Sequence, residues 1–265
     1  RSREVGERRR DEEIRPPGRA GSLRTSEPAI GPEMTRTRKP ASSPDFESAS
    51  PTLDFERSAG FPSLRVIGVD EVGRGCLAGP VVAAAVRLPA DWDLPRKRLL
   101  RLHPEIADIT DSKRMTPKRR SELAPWIRER VAAFGIGHAT VEEIDRLNIY
   151  HASHLAMKRA ADSLGDYDRV LVDGNVVPAH FRDDGGSRAI AIVKGDLRSL
   201  SIACASVVAK VFRDGWMAEL AREYPGYGLE VHQGYATPMH RSALKEIGAC
   251  VLHRRSFSRV RAALG

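Results

Sequence analysis

Apolar positions are scattered over the first sixty residues and then fall into a regular succession of short blocks. Residues 64–69 form a brief apolar run that leads into Asp70-Glu71. A glycine-rich stretch over residues 73–79 follows, and then PVVAAAVRL at residues 80–88, a β-branched run that predicts a second strand folded back on the first as a hairpin. Thr116-Pro117 is a helix start signal, an N-cap followed by proline at the first helical position, and an amphipathic helix is predicted from there to Arg130. Residues 132–140 read as a third strand. Val141–Leu164 is predicted largely helical, with Leu147, His151, Leu155 and Ala156 at helical spacing. RVLVD at Arg169–Asp173 and AIAIV at residues 189–193 are apolar with little alternation, the pattern of strands buried on both faces. Leu200–Glu223 predicts a long helix rich in small residues, and Pro238–Ile247 a shorter one. This order indicates an α/β domain with a mixed sheet and a helical C-terminal portion.

Residues 1–62 hold eight of the 17 prolines and no apolar run longer than two residues. Such a segment buries too little apolar surface to offset the entropy of ordering, so it is predicted to be disordered, with residues 63–265 as the folded domain. It is rich in Arg and Ser, yet residues 1–60 carry 11 acidic against 12 basic side chains, and transit peptides avoid acids. The chain begins with Arg, so Met34 is the expected translation start or the upstream residues an expression remnant. Across 265 residues there are 43 Lys and Arg against 35 Asp and Glu, a formal charge of +8. Nearly all of that excess falls on the predicted folded domain and favours an anionic partner, of which nucleic acid is the commonest. No apolar stretch approaches the ~18 residues of a membrane span. Cys76, Cys204 and Cys250 are too few and too scattered for a disulfide framework or a metal knuckle, which fits a reducing interior and a cytoplasmic location.

Three predicted strands run into acids: the first into Asp70-Glu71, the fourth into Asp173, and the fifth through Lys194-Gly195 to Asp196. In an open α/β sheet the carboxyl ends of neighbouring strands converge on one crevice. Two unit charges ~4 Å apart repel by about 4 kcal/mol at an effective dielectric of 20. A carboxylate cluster therefore persists with raised pKa values or with bound cations. All-oxygen donors favour hard ions such as Mg²⁺ or Mn²⁺, and a pair of such ions is suited to in-line displacement at phosphorus. A single acid at a strand end is equally an ordinary turn-former, and Asp173-Gly174-Asn175 has that look. Asp70 and Glu71 also point to opposite faces of a regular strand. Spacing leaves both readings open.

The local strings narrow the choice. VIGVDEVGRG at residues 66–75 resembles the opening motif of the type 2 ribonucleases H, the ribonuclease HII family. The likeness continues through TDSK (110–113), LVDGN (171–175), KGD (194–196), SIACASVVAKVFRD (201–214), HQGYAT (232–237), His240 and RSF (255–257), in the expected order. The resemblance implies a ribonuclease H-like fold: a five-stranded mixed sheet flanked by helices, with a helical C-terminal extension. It implies cleavage of the RNA strand of RNA–DNA hybrids and nicking on the 5′ side of ribonucleotides embedded in duplex DNA, leaving a 3′-hydroxyl and a 5′-phosphate. Two divalent ions, Mg²⁺ or Mn²⁺, are implied at Asp70, Glu71, Asp173 and Asp196. Asp214 is set aside, because it lies four residues after Lys210 on the long predicted helix and reads as an i,i+4 ion pair. Ribonuclease HIII shares this core but usually carries a folded N-terminal platform, for which residues 1–62 are too polar. A non-catalytic hybrid-binding protein is the alternative of another class, and the presence of all four acids speaks against it.

Recognition of RNA within a duplex depends on the 2′-hydroxyl. Gly73-Arg74-Gly75 offers two residues without Cβ around a guanidinium suited to phosphate; alone it reads as a tight turn, and by resemblance it contacts the junction ribonucleotide. Tyr235, alone a partly buried loop aromatic, packs by resemblance on the sugar of the next nucleotide, where a 2′-hydroxyl would crowd the ring. Lys113, Lys194, Lys210 and Arg213 could each hold a phosphate or belong to a solvated basic face. His232, His240 and His253 lack zinc spacing and read as structural or as phosphate contacts. Family members are usually monomers. A replication or repair partner is conceivable, and RSFSRVRAALG at the C-terminus names none.

Overall fold

The computed structural model describes residues 50–182 and 188–264. Expectations that fall on residues 1–49, Met34 among them, lie outside the described residues. In chain order the main elements are α1 (Asp54–Ser58), β1 (Val66–Val72), β2 (Val81–Arg87), α2 (Arg96–Leu102), α3 (Pro117–Arg130), β3 (Ala133–Ala139), α4 (Val141–Leu164), β4 (Arg169–Asp173), β5 (Ala189–Ile192), α5 (Leu200–Glu223), α6 (Leu229–His232), α7 (Pro238–Ile247) and α8 (Ser258–Leu264). The five strands form one sheet in the order β3-β2-β1-β4-β5. β2 runs antiparallel to β1 and β3, while β1, β4 and β5 are parallel. This is the mixed five-stranded sheet that the sequence predicts, with the β1–β2 hairpin in place.

Period-two alternation divides β1 between two cores. Val66 and Val72 face α5 and α3, packed with Leu171, Ile202, Ala205 and Ile127. Ile67 and Val69 face α4, packed with Ala152, Ala156, Ala160 and Val172. The first half of α5 is buried all round, which explains its small residues. Its N-terminus lies so close to β1 that a Cβ on Gly68 would stand 2.3 Å from Ser201 Oγ and 2.4 Å from the Ile202 nitrogen. The predicted cap is present, with Thr116 accepting from the Arg119 N–H, and the structure adds a reciprocal capping box of Thr140 and Glu143 at the start of α4. α4 is interrupted at Asn148, whose φ is 65° and whose Oδ1 accepts from the Tyr150 and His151 N–H groups to restart the helix.

Two expectations are corrected. β5, predicted to be buried on both faces, is an edge strand with Ile190 40% exposed. The predicted disorder over residues 1–62 does not extend to its last part. Leu53, Ala59 and Phe61 are buried in the core, and the backbone of Thr52 donates to the Arg198 carbonyl and accepts from the Leu200 N–H. Glu56, 1% exposed, holds this segment to α5: its Oε1 accepts from Ser199 Oγ at 2.6 Å, the Ser201 N–H at 2.8 Å and Ser201 Oγ at 2.7 Å. Single apolar residues and one capping carboxylate leave no periodic trace, so the polar composition hides them. Among the described residues no helix is long and apolar enough to cross a membrane.

Removing the Glu56 carboxylate would strand buried hydroxyls at the start of α5. Glu56→Ala is expected to cost about 2–4 kcal/mol, lowering the melting temperature by roughly 5–10 °C. Scanning calorimetry measures this, and an unchanged melting temperature would contradict the role assigned to the segment.

Candidate active site

β1 and β4 are parallel neighbours with Val69 opposite Val172, so Asp70 and Asp173 emerge side by side one residue further on. The two acids of β1 lie inside the strand, which extends to Val72 rather than stopping ahead of them. Asp70 follows the parity of the α5-facing residues and Glu71 that of the α4-facing ones, yet Asp173 interacts electrostatically with both. Asp196 does not end a strand, as β5 stops at Ile192. It sits on a 3₁₀ turn, Gly195–Leu197, entered through Lys194 in the left-handed region (φ 54°). The Gly195 N–H donates to Asp173 Oδ1 at 2.7 Å, which fixes the turn against the end of β4.

The four carboxyls perturb one another. Burial pushes Asp70 well above the usual carboxylate range, and the charges of Glu71, Asp173 and Asp196 push it further, against a hydrogen bond from Ser206. Burial likewise raises Glu71, opposed by Arg74, and Asp173, opposed by the Gly195 and Asp196 amides. Asp196 is raised to about 6 by burial, then by Asp173 and Asp111. Lys113 is exposed at the rim; desolvation alone would lower its pKa, but Asp70, Asp111 and Asp196 outweigh that and leave it raised. Asp111 and Ser206 thus join the candidate site; both lie within the family-like strings TDSK and SIACASVVAKVFRD, which carry no local mark of that role.

The donor chemistry suits hard divalent cations: four carboxylates, no thiolate, and mutual repulsion that a cation would relieve. Among the described residues no three acidic, imidazole or thiol groups stand ready at the spacing of a finished metal cage. Several of these oxygens are engaged locally: Asp70 Oδ1 accepts from the Glu71 N–H, Asp173 Oδ1 from Gly195, and Glu71 Oε1 from Arg74 at 3.2 Å. Metal binding would re-aim carboxyls that are already gathered.

Next to them lies the Gly73–Gly75 turn. Gly73 has φ 93°, and a Cβ there would collide with Arg213 Nε at 2.2 Å, so this glycine is required by the protein's own packing. Around Gly75 nothing lies within 4 Å of an added Cβ, so its bare face is open to an approaching ligand. The Arg74 side chain is 49% exposed. Cys76 pairs with Tyr235 in an isolated antiparallel bridge, which brings the HQGYAT loop beside the turn. Lys210 Nζ stands 5.5 Å from the centre of the Tyr235 ring and binds Asp214 at 2.8 Å, as the i,i+4 spacing predicts. A hollow on the α4 side, lined by Glu71, Arg74, Tyr150, His154, Asp173 and Asn175, opens beside the same carboxyls.

One phosphate candidate is corrected. Arg213 is fully buried, and its N–H groups go to the carbonyls of Pro80, Ala78 and Gln233. The three histidines are buried and mutually packed: His232 stacks on His240, and His240 Nε2 lies 3.0 Å from His253 Nε2. Theirs is the structural role.

The ribonuclease HII family model matches residues 67–260. A ribonuclease HII of Thermosynechococcus vestitus is 50% identical over 194 residues, spanning 73% of this chain and 83% of that protein. The ribonuclease H2 of Pyrococcus horikoshii OT3 superposes with a TM-score of 0.60 at 25% identity, covering 76% of this chain and 97% of that one. The ribonuclease HII of Archaeoglobus fulgidus, solved in complex with PCNA, superposes with a TM-score of 0.54 at 27% identity, covering 74% and 96%. With the sheet order, the gathered carboxyls and these likenesses agreeing, the chain belongs to the ribonuclease HII family, the endoribonucleases H that degrade the RNA of RNA–DNA hybrids.

Proposed function

We propose that this chain, besides degrading the RNA strand of hybrids, nicks duplex DNA on the 5′ side of a single embedded ribonucleotide, leaving a 3′-hydroxyl and a 5′-phosphate. The family depends on divalent metal ions. In this reading Asp70, Glu71, Asp173 and Asp196 hold two of them, Mg²⁺ or Mn²⁺, which when bound supply Lewis-acid activation of water and of the scissile phosphodiester. The observation that carries the reading is the adjacency of four mutually repelling carboxyls to a turn whose Gly75 presents an uncovered face. That face admits the sugar edge with its 2′-hydroxyl, and Arg74 and Lys113 face the phosphates. Tyr235, tied to Cys76, packs on the following sugar, where a second 2′-hydroxyl would crowd the ring. Phosphate contacts position the duplex without reading bases, so cutting is sequence-tolerant. The enzyme acts as a monomer in the cytoplasm, and the archaeal neighbour's complex with PCNA extends the reading to a replication partner.

The decisive assay is a DNA duplex carrying one ribonucleotide, incubated with Mg²⁺, Mn²⁺ or EDTA. Cleavage 5′ to the ribonucleotide with either ion and none in EDTA is expected; cleavage of hybrids alone would favour a ribonuclease HIII-like specificity. Asp70→Asn and Asp173→Asn should lower kcat by about a thousandfold or more while duplex affinity in gel shift is kept, because fewer negative charges do not weaken attraction to phosphate. Near-wild-type turnover of Asp173→Asn would remove it from the site. Arg74→Ala should weaken binding and reduce the preference for the ribonucleotide-containing duplex over an all-DNA duplex.

The raised carboxyl pKa values also predict a pH dependence of the metal-free protein. A folded-state pKa above the unfolded one means that the folded state holds the proton more tightly, so that contribution to stability is complete below about pH 4 and lost as pH rises through about 6 for Asp196. Asp196→Asn removes the loss. In EDTA it should melt a few degrees above wild type at pH 7.5, with the gap closing near pH 4. A variant that melts below wild type at pH 7.5 would refute the repulsion argument.

A further inference from the structure

We propose that Arg213 and Arg254 are positioning residues that hold the Gly73–Gly75 turn and Tyr235 at a fixed spacing, and that this spacing sets the preference for a ribonucleotide embedded in DNA. The inference rests on the reading of that turn given above. Both arginines are 0% exposed. Arg213, on α5, donates from Nε to the Pro80 carbonyl at 2.9 Å, from Nη2 to Ala78 at 3.1 Å and from Nη1 to Gln233 at 2.9 Å. It thus spans the two loops, one leading away from the turn and the other leading to Tyr235, with Gly73 lying against its guanidinium. Arg254, beyond α7, donates from Nε to Gly79 and from Nη1 to the carbonyl of Arg74 itself, both at 2.9 Å. The loops are further joined by the Leu77 N–H to the Gly234 carbonyl at 2.7 Å.

Every one of these side-chain bonds ends on a backbone carbonyl. Burying a cation without a carboxylate partner costs several kcal/mol, and two such cations near one another cost more. Arg254 shows the cost: its pKa is lowered to about 9, first by burial and also by the charge of Arg213. Its Nη2 is buried without a hydrogen-bond partner. Apolar side chains of similar volume would avoid burying the charge but would leave these backbone carbonyls without their donors. A planar fork with fixed donors does something an apolar side chain cannot: it sets the relative positions of the carbonyls of residues 74, 78, 79, 80 and 233. Those carbonyls flank the surface that meets the sugar, where a misplacement of about 1 Å can cost a hundredfold in rate.

The test measures kcat/KM on a DNA duplex with one ribonucleotide and on a long RNA–DNA hybrid, and takes the ratio. Arg213→Lys and Arg254→Lys keep the charge and lose the fork; each is expected to lower the ratio about tenfold or more. Gly234→Ala tests the same spacing without touching a buried charge, because its Cβ would meet the Ala78 carbonyl oxygen at 2.6 Å from a φ of 83°. It should shift the ratio in the same direction, and it decides the matter if the lysine variants prove unfolded by circular dichroism. Folded variants with the wild-type ratio overturn the inference. Gly75→Ala separates this from the parent reading: if it leaves the ratio unchanged, the turn does not read the sugar and both fall. If it lowers the ratio while the folded arginine variants and Gly234→Ala do not, the positioning role alone is lost.

Discussion

Gathering four carboxyls on two neighbouring strands and the turn beside them, largely out of water, works against the folded state, and the fold is arranged to hold them there. Asp70 and Asp196 are both buried, and the charge of Asp196 raises the affinity of Asp70 for a proton. Side chains on independent loops would separate to relieve that repulsion. Here they belong to the central strand, its parallel neighbour and a turn hydrogen-bonded to that neighbour. The carboxyls can turn on their own side chains, but the backbone positions that gather them move only with the sheet. The tight seating of α5 on β1 at Gly68 has the same effect, since it fixes the helix that carries Ser206 beside Asp70.

Behind this frame stands a second tier of contacts whose members are far from the chemistry. Glu56 binds the start of α5, immediately after the turn that carries Asp196. Asp145 of α4 accepts from the Arg255 and Ser256 amides and the Ser256 hydroxyl, which anchors the RSF string. That anchoring carries Phe257 to the face of the Arg254 guanidinium, 5.3 Å away. Thus residues before the first strand and after the last long helix both end by fixing a turn at the site. The helical C-terminal portion is part of the frame around the candidate site rather than an appendage.

Elements with a repeating signal were readable from the sequence. The strands and long helices lie within a few residues of their predicted places, because alternation, caps and small-residue runs each encode a local preference. The acids were readable through their neighbouring strings more than through spacing: Asp173-Gly174 alone is indistinguishable from a turn. What could not be read depends on tertiary company. An arginine in AKVFRD looks the same whether it meets phosphate or the carbonyls of loops far away in sequence, and Arg213 does the latter. Asp111 sits in a quoted string, but its effect on Asp196 arises only when the loop before α3 closes over the turn after β5. Residues 51–62 were misjudged because a few isolated apolar side chains and one buried Glu56 do not lift a proline-rich average.

The distribution of charge follows from the same logic. Negative groups are drawn together where cations and a scissile linkage are proposed to meet, while two buried arginines bound to backbone carbonyls lie beneath the adjoining turn. Two buried guanidinium groups bound to carbonyl oxygens fix the backbone beneath the turn, which apolar side chains in their place would not do. The cost appears in the depressed pKa of Arg254 and in its unpartnered nitrogen.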